Sequence, residues 1–323
     1  MGKNILLTNR YNGRPLEIVQ SQIPEGFSIR FLTEQTAQCL AEKIKEADYV
    51  LAGGRMKISK KIIANAKALK MIQRTGVGLD AIDLDALKEK NIPLYVNQGV
   101  NSQSVAEHTL LLILSCLRRL TEINANTHNG IWKKQEQGVR THELKGKTVG
   151  IIGMGNIAQC LVKLLSGFDV KILYDNIIKM PDDFEKAYNM HFVDKSELFA
   201  MSDIISINCA LTDETKNLIN QETVSQMKDG VILVNTARGL IADAKAVSEG
   251  LLSGKIAFAG LDVHEYEPIP EGYPLKNMPN VILTPHIGGV TYESFCNMMH
   301  DAMRNIELFD KGKLDEIKQY RYL

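Results

Sequence analysis

Residues 148–165 read TVGIIGMGNIAQCLVKLL, and no other stretch narrows the fold as far. Thr148 to Ile152 is a run of β-branched and aliphatic residues that predicts a buried strand, and Asn156 to Leu165 carries the apolar spacing of a helix. Between them Gly153, Gly155 and Ala158 form a G-x-G-x-x-A pattern. Gly153 suits a tight turn, Gly155 lets a backbone approach a pyrophosphate, and Ala158 permits a helix to pack closely on a strand. The helix N-terminus then faces the phosphates. A second strand, VKILYD, ends in Asp175, near the roughly 20-residue spacing at which an acid meets a ribose 2′-hydroxyl. Asn176, Ile177 and Ile178 follow, with no arginine to accept a 2′-phosphate, so NAD is expected rather than NADP.

The rest of the chain has room for a second unit of the same class. At 323 residues it exceeds one ordinary core. The first hundred residues alternate NILLTN, SIRFL, DYVLAGG, KMIQRTG and IPLYVN with the amphipathic stretches TEQTAQCLAEKIKEA, SKKIIANAKAL and DLDALKEKN. After residue 140 a second alternation supplies KTVGIIG, DVKILYD, MHFVD, DIISIN, GVILVNT, IAFAGLDV and NVILTP, and the chain closes on an amphipathic helix from YESF onward. This alternation predicts parallel sheets covered by helices. Between the halves, residues 101–130 predict one long helix, opened by a capping box of Ser104 and Glu107 and buried through Leu110 to Leu117.

Lys+Arg and Asp+Glu are both 38, so no excess of either charge points to nucleic acid or an anionic membrane. Five cysteines without a CxxC pair suggest a reducing, cytoplasmic setting. No signal peptide, membrane span or metal site is expected.

Several segments, in order, give the chain a family resemblance: QRTGVGLDAIDL, VNQGVNSQSVAEH, ELKGKTVGIIGMGNIA, LTDETKNLINQETVSQMKDGVILVNTARGLIAD, AGLDVHEYEP and LTPHIGG. The chain resembles the D-isomer-specific 2-hydroxyacid dehydrogenases, a group that includes phosphoglycerate, glyoxylate/hydroxypyruvate and D-lactate dehydrogenases. The resemblance implies an α/β fold of two Rossmann-like domains, an NAD-binding domain at 99–289 inserted into a split, flavodoxin-like substrate domain at 1–98 and 290–323. It implies interconversion of a small D-2-hydroxy acid and its 2-keto acid with NAD in the cleft, by a homodimer supported on the long helix, with no regulatory tail.

It also assigns residues. Arg238, placed where the buried strand VILVN runs out, would hold the substrate carboxylate with its planar fork of donors. His286 would be the acid–base imidazole. Glu267 would orient the ring, since a carboxylate beside an imidazole favours its protonated form; Glu265 is the neighbouring alternative, and the spacing to Asp262 and Pro268 favours Glu267. Asp262 would contact the nicotinamide carboxamide, and Gly153, Gly155, Asn156, Ile157, Asp175, Cys209 and Thr236 complete the cofactor side. The substrate side would include Gly53, the Gly76, Val77 and Gly78 loop, and Asn101. The remaining histidines, among them His108 and His264, are read as structural.

Departures from the family pattern concern the cofactor grip or hinge and the substrate. Gly99 and Ala210 stand where prolines are usual. Gly53 aligns with an arginine typical of phosphoglycerate-type members, and Arg55 is displaced from it by two positions. Gly53 and Gly54 leave room for a bulkier substrate group or form an anion-binding backbone nest. A phosphoglycerate dehydrogenase, a hydroxypyruvate or glyoxylate reductase, and an NAD-sensing corepressor-like binding protein remain the alternatives. Formate oxidation fits less well, because formate dehydrogenases of this fold pair the histidine with glutamine.

Overall fold

The two alternations become two parallel sheets in a computed structural model that describes residues 2–54 and 56–323. Arg55 therefore lies outside the described residues. The chain divides into two units, one running to Asn101 and resuming at Tyr292–Leu323, the other Ser102–Thr291. The breaks fall after residues 101 and 291 rather than after 98 and 289.

The first unit holds β1 (Lys3–Leu7), β2 (Phe27–Phe31), β3 (Tyr49–Ala52), β4 (Met71–Arg74) and β5 (Leu94–Val96), in the order β2-β1-β3-β4-β5. Its strands bury both faces by alternation. Leu6, Val50 and Ile72 join one core with Ile62, Ile63 and Leu87. Ile5, Leu7, Tyr49, Leu51 and Met71 join another with Met299, Met303 and Ile306. Those last three sit on the helix Tyr292–Asp310, so the C-terminal helix returns to cover the sheet begun at the N-terminus. The strand order reverses between β1 and β3, and the carboxyl ends at such a reversal are where open α/β sheets bind ligands. One helix, Arg14–Ser21, was not expected from the sequence; it carries Pro15 and Glu17 in its first turn, and buries only Val19 fully.

The second unit holds β6 (Thr148–Ile152), β7 (Lys171–Asp175), β8 (Met190–Phe192), β9 (Ile204–Ile207), β10 (Val231–Asn235), β11 (Ile256–Leu261) and β12 (Val281–Leu283). Their order, β12-β11-β10-β9-β6-β7-β8, is the doubly wound arrangement of a dinucleotide-binding sheet with one added strand. Ile232 and Val234 face one core, Val231 and Leu233 the other, so β10 has no solvent face.

The long helix differs from expectation. It begins at Ser102 and ends at Leu117, and a second helix spans Leu120–His128 after Arg119 enters the left-handed region at φ +48°. A left-handed residue cannot continue a right-handed helix. Ser104 lies inside the first turn rather than capping it; its hydroxyl meets Thr291 Oγ1 at 3.2 Å, while Glu107 accepts from Gln103 at 2.8 Å. Leu112, Ile113, Cys116 and Leu117 are buried as expected, but Leu111 is 53% exposed. No helix among the described residues is long and apolar enough to cross a membrane.

Candidate active site

In the second unit the residues that the resemblance assigns to catalysis follow the carboxyl ends of β10, β11 and β12. Asn235, the last residue of β10, is buried and folds the chain back on itself: its Oδ1 accepts from the Ala237 N–H at 3.0 Å and its Nδ2 donates to the Arg238 carbonyl at 2.9 Å. The turn sets Arg238 at the mouth of the sheet, where its Nη1 also donates to the Ala237 carbonyl at 2.7 Å. The next residue must be glycine. A Cβ at Gly239 would overlap the backbone of His264 and Glu265, so the arginine turn rests directly on the loop that leads to Glu267.

Asp262 follows β11, is 2% exposed, and gathers the loop after β12. Its Oδ1 accepts from Thr284 Oγ1 at 2.6 Å and from the Ile287 N–H at 2.9 Å, and its Oδ2 accepts from the Gly288 N–H at 2.9 Å. His108 Nε2 stands 3.5 Å from Oδ1. Burial alone would raise the pKa of this carboxyl; the bonds from His108, Thr284, Gly288 and Ile287 outweigh it and hold the group well below the usual carboxylate range. Asp262, assigned from the sequence to the nicotinamide carboxamide, thus has both oxygens engaged by the loop it anchors.

That loop presents His286 in a strained backbone conformation, φ +56°, uncommon for a residue with a side chain. The strain is held by neighbours: the His286 N–H donates to the Asp262 carbonyl at 2.7 Å, and the next two N–H groups go to the Asp262 carboxylate. The imidazole Nδ1 lies 3.2 Å from Glu267 Oε2, and Glu267 Oε1 accepts from the His264 N–H at 2.9 Å. His264 Nε2 in turn lies 2.9 Å from the Thr284 carbonyl. Glu267 is therefore fixed at both oxygens and can hold the ring with its Nε2 face outward. The structure brings Glu267 and His286 into direct contact.

The glycine turn fits a dinucleotide. Gly153 takes φ +88°, and a Cβ there would lie 2.7 Å from Cys209 Cα, so β6 and the residues after β9 approach too closely for any side chain. At Gly155 an added Cβ would meet nothing within 4 Å, leaving the space before the helix Asn156–Leu165 open for a pyrophosphate on its N-terminal amides. Asn156 and Ile157 form the first turn, and Thr236 Oγ1 pairs with Thr109 Oγ1 at 2.9 Å beneath the end of β10. Burial pushes the Cys209 thiol pKa up, so it lines the turn as a neutral group. Asp175 ends β7 with its Oδ2 2.9 Å from Lys195 Nζ, a cation absent from the sequence argument because it stands on a different element.

In the first unit the loop that the resemblance assigns to the substrate carboxylate is held by Arg74. Arg74, the last residue of β4, donates Nε to the Gly78 carbonyl at 2.9 Å, Nη1 to Ala52 at 3.1 Å and Nη2 to Gly54 at 2.7 Å. It thereby fastens the loop after β3, with Gly53, to the loop Gly76–Gly78. With the Gly78 carbonyl turned toward Arg74, this loop can offer N–H groups to an anion; Val77 at its tip is 47% exposed. Asn101 is half-buried and directly precedes the helix Ser102–Leu117.

Arg74, His108, His264 and Thr284 were not legible as functional, yet each bonds a residue or loop assigned to the site; only Thr284, beside His286, had a local cue.

Known proteins are similar to this chain in sequence and in fold. The family model for the D-isomer specific 2-hydroxyacid dehydrogenase NAD binding domain matches residues 110–288. A glyoxylate reductase of Thermofilum pendens is 39% identical over 277 residues, covering 85% of this chain and 82% of that protein. A hydroxypyruvate reductase of Thermotoga maritima is 40% identical over 258 residues, covering 79% and 82%. Among solved structures, the D-lactate dehydrogenase of Aquifex aeolicus, complexed with NAD and lactic acid, superposes with a TM-score of 0.88 at 28% identity, covering 99% of both chains.

Proposed function

The chain belongs to the D-isomer-specific 2-hydroxyacid dehydrogenases, NAD-dependent oxidoreductases, and from that membership we propose that it reduces a short 2-keto acid of the glyoxylate or hydroxypyruvate class to the D-2-hydroxy acid. The observation that carries the residue assignment is the Glu267–His286 pair at 3.2 Å, on a loop pinned by Asp262. When bound, the nicotinamide supplies or accepts the hydride.

This chain's own residues do the rest. Protonated His286 donates from Nε2 to the carbonyl oxygen, and Glu267 Oε2 keeps the proton on Nδ1, so the ring leaves the step in one tautomer. Glu267 also stabilises the charged ring that starts the step. Arg238 holds the substrate carboxylate through its guanidinium, and the N–H groups of Gly76, Val77 and Gly78 add backbone donors. Gly153, Gly155, Asn156 and Ile157 hold the pyrophosphate, and Asp175 holds the adenosine ribose, with Cys209, Thr236 and Asp262 on the cofactor side.

A homodimer belongs to this reading. Leu111, Leu120, Trp132 and Val139 cluster in one stretch of sequence and are 53%, 51%, 82% and 80% exposed, an apolar surface suited to a second copy. Five unpaired cysteines suit a cytoplasmic enzyme.

The test is NADH oxidation, followed at 340 nm, against glyoxylate, hydroxypyruvate, pyruvate and phosphohydroxypyruvate, with chiral analysis of the product. Turnover of one of the first three with a D-product where a stereocentre forms is expected. NADH binding without turnover of any acid would replace this reading with an NAD-sensing binding protein.

A further inference from the structure

The carboxyl ends of β1 and β3 lie where the strand order of the first sheet reverses, and they carry side chains that the catalytic assignment does not use. Thr8, directly after β1, fixes the strand ends: its Oγ1 accepts from the Gly53 N–H at 2.9 Å and donates to the Gly53 carbonyl at 3.1 Å. Asn9 then lies over the two glycines. A Cβ at Gly53 would stand 2.9 Å from Asn9 Nδ2 and 3.4 Å from Tyr11 Oη, and one at Gly54, whose φ is +59°, would stand 2.6 Å from Asn9 Oδ1. The space that a side chain at position 53 would fill is therefore taken by the Asn9 carboxamide and the Tyr11 hydroxyl. These two are themselves linked by a long bond of 3.4 Å, and the Tyr11 ring packs edge-on against Phe295 at 5.4 Å between centroids.

We propose that Asn9 and Tyr11 are the specificity-determining residues for the substituent on the keto acid's third carbon, and that they select a neutral, hydroxyl-bearing group over a phosphorylated one. The inference rests on the reading of this chain as a reductase of short 2-keto acids. Its location follows from Arg74, which ties the Gly54 carbonyl beside Asn9 to the Gly78 carbonyl of the carboxylate loop. A substrate with its carboxylate on Gly76–Gly78 extends its next carbons over the same sheet end. The chemistry follows from what stands there. An amide and a phenol accept and donate to a hydroxyl without requiring charge. Burial, partly opposed by Asn9 and Arg74, pushes the Tyr11 phenol up, so it remains an O–H donor. The Arg74 guanidinium spends donors on three backbone carbonyls. A phosphate dianion placed against Asn9 and Tyr11 would lose water without gaining a matching cation from either.

The experiment measures kcat/KM with NADH for hydroxypyruvate, glyoxylate and phosphohydroxypyruvate, in the wild type and in the Tyr11→Phe and Asn9→Ala variants. Glyoxylate has no third carbon and serves as the internal reference. The wild type should favour hydroxypyruvate over phosphohydroxypyruvate by about tenfold or more. Each variant should lower the hydroxypyruvate-to-glyoxylate ratio about five- to tenfold, the effect of one lost hydrogen bond between uncharged groups. Tyr11→Phe keeps the ring on Phe295, so it remains informative where Asn9→Ala unsettles the loop; melting temperatures check both. A ratio unchanged in both variants, or a preference for phosphohydroxypyruvate, overturns the inference while leaving the reductase reading intact. Failure to turn over any acid overturns the reductase reading and takes the inference with it.

Discussion

The two units solve one problem with opposite charges. In the second, a buried carboxylate, Asp262, gathers donors: the Thr284 hydroxyl and the Ile287 and Gly288 N–H groups all point at it. In the first, a guanidinium, Arg74, gathers acceptors, the carbonyls of Ala52, Gly54 and Gly78. The sign of the hub decides which half of the peptide is left for a ligand. A loop drawn in by its N–H groups can project a side chain, and it projects His286. A loop drawn in by its carbonyls presents N–H groups, which suit a carboxylate. The comparison teaches that the loop bearing His286 and the loop Gly76–Gly78 differ in the charge that holds them, although both follow strand ends of parallel sheets.

The largest break removes what the anionic hub delivers. His286→Ala should lower kcat/KM by about 10³- to 10⁴-fold, the range of a lost general acid, with NADH affinity by fluorescence titration within about twofold of wild type. Removing the hub itself comes next. Asp262→Asn keeps the shape but sets an amide donor against at least one N–H group that now has an acceptor, so the loop should loosen and kcat should fall about 10²-fold. The cationic counterpart is Arg74→Lys. A lysine cannot span three carbonyls as a planar fork does, so the carboxylate loop should lose definition, raising KM for the keto acid about tenfold with a smaller change in kcat. Were Asp262→Asn to act on KM and Arg74→Lys on kcat, the division of labour between the two loops would be wrong.

Much of this was legible in sequence because it is local. The twelve strands among the described residues announce themselves as short apolar or alternating runs, and the glycine turn with its helix and Asp175 can be read from one window of residues. The hubs are not local. Arg74 sits in KMIQRTG, which reads simply as a strand; nothing in that segment says its donors reach back to Ala52 and Gly54 on another strand end. His108 and His264 read as structural histidines, which is the common case; His108 stands beside Asp262 from another element, and His264 meets Glu267 through its backbone N–H within one loop. Gly239 is the instructive failure. Its need is visible only when the backbone of residues 264 and 265 is laid against it, because a close approach leaves no periodicity behind. The helix expected over 101–130 failed for a related reason: apolar periodicity continues past Leu117, while the left-handed Arg119 that ends the helix is a backbone choice with no composition signal.

The smallest expected effect concerns the hub's charge rather than its presence. The folded carboxyl of Asp262 titrates below its unfolded counterpart, since its bonds from Thr284, His108 and two backbone N–H groups outweigh burial. Such a group adds stability that is fully present above the unfolded pKa, about 3.9, and is lost as pH falls toward the folded value. The stability difference between wild type and Asp262→Asn, from urea titrations, should therefore be flat between about pH 7 and 5 and shrink only below about pH 4. Arg74 has no counterpart to this behaviour, because a guanidinium stays charged across the whole range. The difference between wild type and Arg74→Lys should be level throughout, so an acid-side slope for that pair, or none for Asp262, would mean that the loops are not held by the charges assigned to them.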